Sequence, residues 1–193
     1  MVYVKKQEFE VVKYLVKDEK MTVKLVTRKD KQYVLREFAN YDDYFEALFR
    51  YKTLVKSGIY VPKLLKKDKK SLKLLFEYIV GQDCAEALSK YEIKEEYFAA
   101  LYLLYHFCRI SKIELNYLPE NFIYDGKRMF YISLDLFEQN SNINLENYGM
   151  EYWFTSIKGI EHLEKLGYSV NHERQISVPE VNKKIVLISI KHW

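Results

Sequence analysis

Asn121 and Asp135 are spaced so that a single hairpin would carry both to neighbouring ends. The segment Asn116-Tyr117-Leu118-Pro119-Glu120-Asn121 reads as a loop, with Pro119 suited to it. Phe122–Tyr124 and Met129–Ile132 follow as runs of strand-forming residues. Between them, Asp125-Gly126 is a hairpin signal, because both residues tolerate the positive φ of a type I′ turn. Asn121, just before the first strand, and Asp135, just after the second, would then arrive at neighbouring ends. An amide oxygen and a carboxylate placed side by side can share a divalent cation, which prefers oxygen ligands. The amide of Asn116 accepts and donates hydrogen bonds but is no base near neutral pH, and Glu114 and Glu120 are nearby carboxylates that can take a proton.

The elements that must position these residues can be read from periodicity and punctuation. Phe9–Leu15, Thr22–Val26 and Gln32–Phe38 alternate as strands, joined by the polar turns Lys17–Lys20 and Lys29–Lys31, and so form a meander. Asn40 caps a helix expected to run to about Ser57, with Tyr41, Phe45, Leu48, Phe49 and Val55 at helical spacing and Gly58 at its end. Lys66–Lys70 reads as a solvated turn, and Ser71–Gly81 as a strand that Gly81 closes. A short helix is expected from Asp83 to about Lys90. A longer one over Glu95–Arg109 has Phe98, Leu101, Tyr102, Tyr105 and Cys108 on one face, and its His106 is read as a packed core residue. Met150–Leu166 reads as a helix closed by Gly167. The tail, Gln175–Val178 and Ile185–Ile190, reads as a pair of β-strands.

Taken together, the loop, hairpin and Asp135 resemble the catalytic loop and metal-binding segment of the protein-kinase-like fold. The resemblance is to its small bacterial branch of lipopolysaccharide core kinases, aminoglycoside-type phosphotransferases and compact atypical serine/threonine kinases. The family pattern His-Gly-Asp-x-x-x-x-Asn, hairpin, Asp places Asn121 and Asp135 at the metal-binding positions. Asn116 falls where the family has its catalytic Asp, and Glu114 where it has His. Asp135-Leu136-Phe137 stands in place of Asp-Phe-Gly. Upstream, Tyr33-Val34-Leu35-Arg36 puts Arg36 at the position of the phosphate-contacting Lys, and Arg is a planar fork rather than a point charge. Glu46 matches the helix Glu expected to pair with Arg36. Glu77-Tyr78-Ile79-Val80-Gly81 resembles the hinge, where backbone groups around Glu77 and Ile79 would meet an adenine edge. The turn Lys17–Lys20 has no Gly, unlike the family's phosphate-covering loop.

The resemblance covers about residues 9–137. It implies an α+β, minimal protein-kinase-like bilobal fold with extra C-terminal β-strands. An antiparallel β small lobe with a helix would occupy residues 1–80, and a reduced helical large lobe residues 81–193. It implies ATP and Mg²⁺ as ligands, and a pseudokinase or very slow phosphotransferase, because Asn116 cannot accept a proton. An active divergent kinase of a small molecule, sugar or protein is the alternative.

Composition sets the remaining bounds. Of 193 residues 49% are hydrophobic and 30% charged, a globular balance. Residues 1–80 hold 19 Lys/Arg against 11 Asp/Glu, and residues 81–193 hold 12 against 16, so a net +8 half precedes a net −4 half. The basic half would attract an anionic partner such as nucleotide phosphate, an acidic lipid or nucleic acid, and a nucleic-acid-associated accessory role is the second alternative. Cys84 and Cys108 are expected as free thiols in a reducing cytoplasm. No apolar run reaches membrane-spanning length, and His162, His172 and His192 show no zinc spacing.

Overall fold

The structure, a computed structural model, describes residues 1–140 and 142–193. It is of the α+β class and divides into two compact units, Met1–Thr53 with Val61–Ile79, and Leu54–Tyr60 with Val80–Trp193. Among the described residues, no helix is long and apolar enough to cross a membrane.

The first unit is a curled six-stranded antiparallel sheet of β1 (Val2–Val4), β2 (Gln7–Lys17), β3 (Met21–Arg28), β4 (Lys31–Phe38), β5 (Leu64–Asp68) and β6 (Lys73–Glu77), in the order β1-β2-β3-β4-β6-β5. Strand alternation sorts its residues onto two faces. On the inner face Val4, Phe9, Val26, Leu35 and Leu75 are buried together. Curling brings the two edges close: the Lys5 N–H donates to the Asp68 carboxylate (2.9 Å) and the Lys73 ammonium to the Tyr3 carbonyl (3.2 Å). On the same inner face Glu37 lies between the ammoniums of Lys24 and Lys73. The other face meets helix α1 (Tyr41–Lys56), where Tyr44 packs edge-on to Phe38 and Tyr51 to Phe76. Asn40 caps α1 by accepting from the Asp43 N–H (2.9 Å).

Helix α1 forms where its pattern indicates, but with a rotated face. Tyr44, Ala47, Leu48 and Leu54 are buried, whereas Tyr41, Phe45 and Phe49, expected inside, are exposed. Both sets recur at helical spacing, and contact with Phe38 and Phe76 selects the first.

The second unit is mainly helical. It contains β7 (Gln82–Asp83), α2 (Cys84–Ser89), α3 (Glu95–Ser111), β8 (Ile113–Glu114), β9 (Phe122–Tyr124), β10 (Met129–Tyr131), β11 (Phe137–Glu138), α4 (Ile157–Lys165) and α5 (Val178–His192). Three-residue strands β10-β9 and the short β7 make one antiparallel sheet, and β11-β8 another. Gly81 is required at the approach to β7: a Cβ there would lie 2.6 Å from both the Tyr124 carbonyl oxygen and the Ile123 side chain. Cys84 and Cys108 are both free and buried.

Two sequence expectations are corrected here. The extra C-terminal β-strands are absent, because Val178–His192 is helix α5. Ser177 and Glu180 form a capping box at its start, with Pro179 in the first turn. The helix buries Val181 and docks on α3 through the Tyr102–Ser189 hydroxyl pair (2.6 Å) and the His192 carbonyl on His106 (3.0 Å). These contacts outweigh the β-branched run Ile185–Ile190, whose helix penalty is only a few tenths of a kcal/mol per residue. Met150–Leu166 is likewise not one helix. A 3₁₀ turn over Gly149–Trp153 ends first, and buried Ser156 restarts the chain as α4 by accepting from the Gly159 N–H (2.9 Å).

Candidate functional site

Helix α3 ends at Lys112, whose left-handed backbone (φ 56°) turns the chain into β8. The loop after β8 leads to a 3₁₀ turn over Pro119–Asn121, in which the Asn121 N–H donates to the Leu118 carbonyl (3.0 Å). Strands β9 and β10 then pair from Phe122↔Tyr131 to Tyr124↔Met129. The connecting turn holds four residues rather than two. Gly126 alone takes positive φ (+91°), while the Asp125 carboxylate accepts from the N–H groups of Lys127 (2.9 Å) and Arg128 (2.7 Å). Side-chain capping by Asp125 replaces the expected type I′ geometry.

This hairpin brings Asn116, Asn121 and Asp135 into one hydrogen-bonded network, and Tyr131 is its centre. The fully buried Tyr131 hydroxyl accepts from the Asn116 N–H (3.1 Å) and donates to the Asp135 carbonyl (2.9 Å). The Ile132 N–H donates to the Asn121 carbonyl (2.8 Å), and the Asn121 amide nitrogen to the Asn116 carbonyl (3.2 Å). The Asn116 side-chain oxygen accepts from the Leu118 N–H (3.4 Å) and so shapes the loop. Burial pushes the Tyr131 phenol up, which keeps it a neutral donor at physiological pH.

Asn121 and Asp135 are the members of this network whose side-chain oxygens could hold a divalent cation. With its nitrogen committed to the Asn116 carbonyl, Asn121 has its side-chain oxygen oriented as an acceptor. One amide oxygen and one carboxylate would be a small protein share of a Mg²⁺ shell that phosphates and water complete. Among the described residues, no cluster of three His, Cys, Asp or Glu side chains could hold a metal unaided. Of the alternative bases, Glu120 accepts from His162 through both oxygens (3.0 Å each), and Glu114 is buried.

The remaining predicted residues lie in the first unit. Arg36 is on the α1-facing side of the sheet, its guanidinium 5.8 Å from the Phe76 ring centroid and 3.8 Å from Met21 Sδ. The expected Glu46–Arg36 pair is replaced: Glu46 takes Arg50 one helical turn on (2.6 Å), on an exposed flank of α1. The i,i+4 geometry supplies that partner with no further ordering of the chain. Glu77 closes β6 against Lys63, its carboxylate accepting from the Lys63 N–H (2.8 Å). Ile79, half-buried, follows in the irregular stretch after β6.

Sequence reasoning passed over the pair Glu114–Tyr117 except as a spare base. Glu114 is 1% exposed, and one of its oxygens accepts from the Tyr117 hydroxyl (2.9 Å). Tyr117 is clamped in turn: its carbonyl accepts from the Trp153 indole (2.7 Å), and a Cβ on Gly149 would lie 2.5 Å from its own Cβ. The signal available was a carboxylate between two apolar neighbours, Ile113 and Leu115. No protein-family model matches the chain, and no curated protein matches it.

Proposed function

We propose that the chain is a protein-kinase-like, nucleotide-binding protein whose catalytic loop lacks its base: a pseudokinase or a very slow ATP-dependent phosphotransferase. The observation that carries this reading is the Tyr131 hydroxyl linking the Asn116 loop to the Asp135 backbone, with Asn121 tied to the same loop. In phosphoryl transfer the protein's task is mostly positioning and charge neutralisation, so an Asn–Asp pair that holds Mg²⁺ retains nucleotide even without a base. A curled antiparallel sheet with one helix on its outer face, followed by a mainly helical unit, supports the same reading. General base catalysis is worth roughly 10²–10⁴-fold, which sets the expected handicap of Asn116.

Thermal unfolding of the full chain with ATP, with and without Mg²⁺, tests the proposal, because a ligand bound only by the folded state raises the midpoint. A Mg²⁺-dependent rise that disappears in Asp135→Ala supports it. No rise at millimolar ATP would refute it.

A further inference from the structure

Three aromatic side chains that the core leaves unused stand on α1: Tyr41, Phe45 and Phe49 are 52%, 46% and 67% exposed. Their four-residue spacing aligns them as one ridge along the helix, and exposed Lys52 falls on the same flank. Tyr41 stacks against Phe45 (6.4 Å between centroids), and the Lys69 ammonium lies over the Phe45 ring at 5.2 Å. Contiguous exposed apolar groups of this size mark interaction surfaces.

Lys69 ties this ridge to a cluster of lysines. It sits with Lys70 in the turn between β5 and β6, and the Lys5–Lys6 turn between β1 and β2 is held against that turn. The link is the Asp68 carboxylate, which accepts from the Lys5 N–H (2.9 Å) and from the Ser71 N–H (3.2 Å). Lys5 and Lys6 both take positive φ (47° and 66°), as a tight two-residue hairpin turn requires, and both are exposed, as are Lys69 and Lys70. The acids nearby are mostly engaged within the protein. Asp68 is held as described, Asp43 accepts from the Asn40 side-chain amide (2.7 Å), and Glu46 pairs with Arg50 (2.6 Å). The unit as a whole holds 18 Lys/Arg against 11 Asp/Glu, a net +7.

We propose that this surface docks on an anionic membrane, with the aromatic ridge entering the headgroup region and the lysines meeting acidic lipid headgroups. Charge complementarity selects the occupant: five lysines call for a negative surface, and a two-fold contact with a second copy would set the same lysine cluster on both sides. Ring geometry selects lipid over single-stranded nucleic acid. Bases stack on open aromatic faces, whereas Phe45 is already covered by Tyr41 and Lys69. A convex helical ridge also suits a deformable lipid interface, which needs no matching groove. The surface belongs wholly to the first unit, so the proposal does not rest on nucleotide binding.

The test is flotation of the full chain with vesicles of phosphatidylcholine alone or of an equal mixture with phosphatidylglycerol. Binding to the mixed vesicles only is expected, and it should weaken as salt rises. Lys5→Gln, Lys6→Gln, Lys69→Gln and Lys70→Gln combined should lower the partition coefficient about a hundredfold or more, at about fivefold for each lysine. Phe45→Ser with Phe49→Ser should lower it about tenfold or more, through the apolar area no longer buried in lipid. Both sets of positions are exposed, so each variant should unfold within a few degrees of the parent, and either one carries the test if the other fails to fold. Equal binding to neutral and mixed vesicles, no binding to either at about 1 mM lipid, or unchanged binding by a folded variant would each overturn the proposal. Salt-sensitive binding of oligothymidylate without vesicle binding would also overturn it, and would assign the surface to nucleic acid.

Discussion

Removing one oxygen atom, by Tyr131→Phe, should both destabilise the second unit and loosen the candidate site. The ring is fully buried between Phe122 (5.2 Å between centroids) and the hairpin, so phenylalanine fills the same volume and leaves no cavity. What is lost is a pair of hydrogen bonds, one from the Asn116 N–H and one to the Asp135 carbonyl. Each is worth about 0.5–1.5 kcal/mol net, and a buried group left unpaired costs about 1–3 kcal/mol. The expected loss is therefore about 2 kcal/mol, or roughly 4–8 °C in Tm for a chain of this size. Urea unfolding followed by tryptophan fluorescence reads it directly, since Trp153 packs on Phe122 at the base of the same hairpin (5.5 Å). The midpoint should fall with the slope unchanged. A shift smaller than about 0.5 kcal/mol would show that the hydroxyl does not hold the loop to the hairpin, and the site as described would fail.

Other perturbations test separate links. Asn116→Asp restores a proton acceptor while keeping an oxygen that can accept from the Leu118 N–H; turnover of ATP should rise about 10²–10⁴-fold in a phosphate-release assay, and a folded variant without a rise contradicts the assignment of Asn116. Gly81→Ala would press a Cβ to 2.6 Å from the Tyr124 carbonyl, so thermal unfolding should show a loss of about 1–3 kcal/mol. Two carboxyls should give opposite pH dependences. Burial pushes Glu37 up, but hydrogen bonds from Lys24 and Lys73 prevail and hold it below the ordinary Glu range, so its contribution is present above that range and lost as pH falls through the lowered value. Burial pushes Glu114 up, against the Tyr117 hydroxyl and the Arg109 charge, so its contribution is present at low pH and lost as pH rises through the raised value. Stability-versus-pH curves of Glu37→Gln and Glu114→Gln should each lose one of these slopes; a curve unchanged in either variant would contradict the corresponding environment.

Local signals carried much of this structure. The strands β2, β3 and β4, the Asn40 cap, the amphipathic α3 and the β9–β10 hairpin all follow from alternation, caps and turn residues, because each is fixed by neighbours in the chain. What escaped depends on contacts distant in sequence. The burial face of α1 is chosen by Phe38 and Phe76, between two sets of apolar residues that both fit a helix. The tail reads as strand from its β-branched residues, yet docking on Tyr102 and His106 and the Ser177–Glu180 capping box make it α5. That capping box is visible in the sequence as Ser177 followed three residues later by Glu180 ahead of an apolar run. The pairing of β8 with β11 could not be read from local signals, since Glu114 and Phe137 are distant in the chain.

Mn²⁺, a paramagnetic stand-in for Mg²⁺, can locate the divalent cation that Asn121 and Asp135 are proposed to hold beside a bound nucleotide. In nuclear magnetic resonance spectra of the full chain with ATP, substoichiometric Mn²⁺ should broaden the Asn121 side-chain amide and the Asp135 backbone amide before other signals. Excess Mg²⁺ should restore both, and Asp135→Ala should abolish the effect. Broadening centred elsewhere, or none at Asn121 with ATP present, would contradict the account.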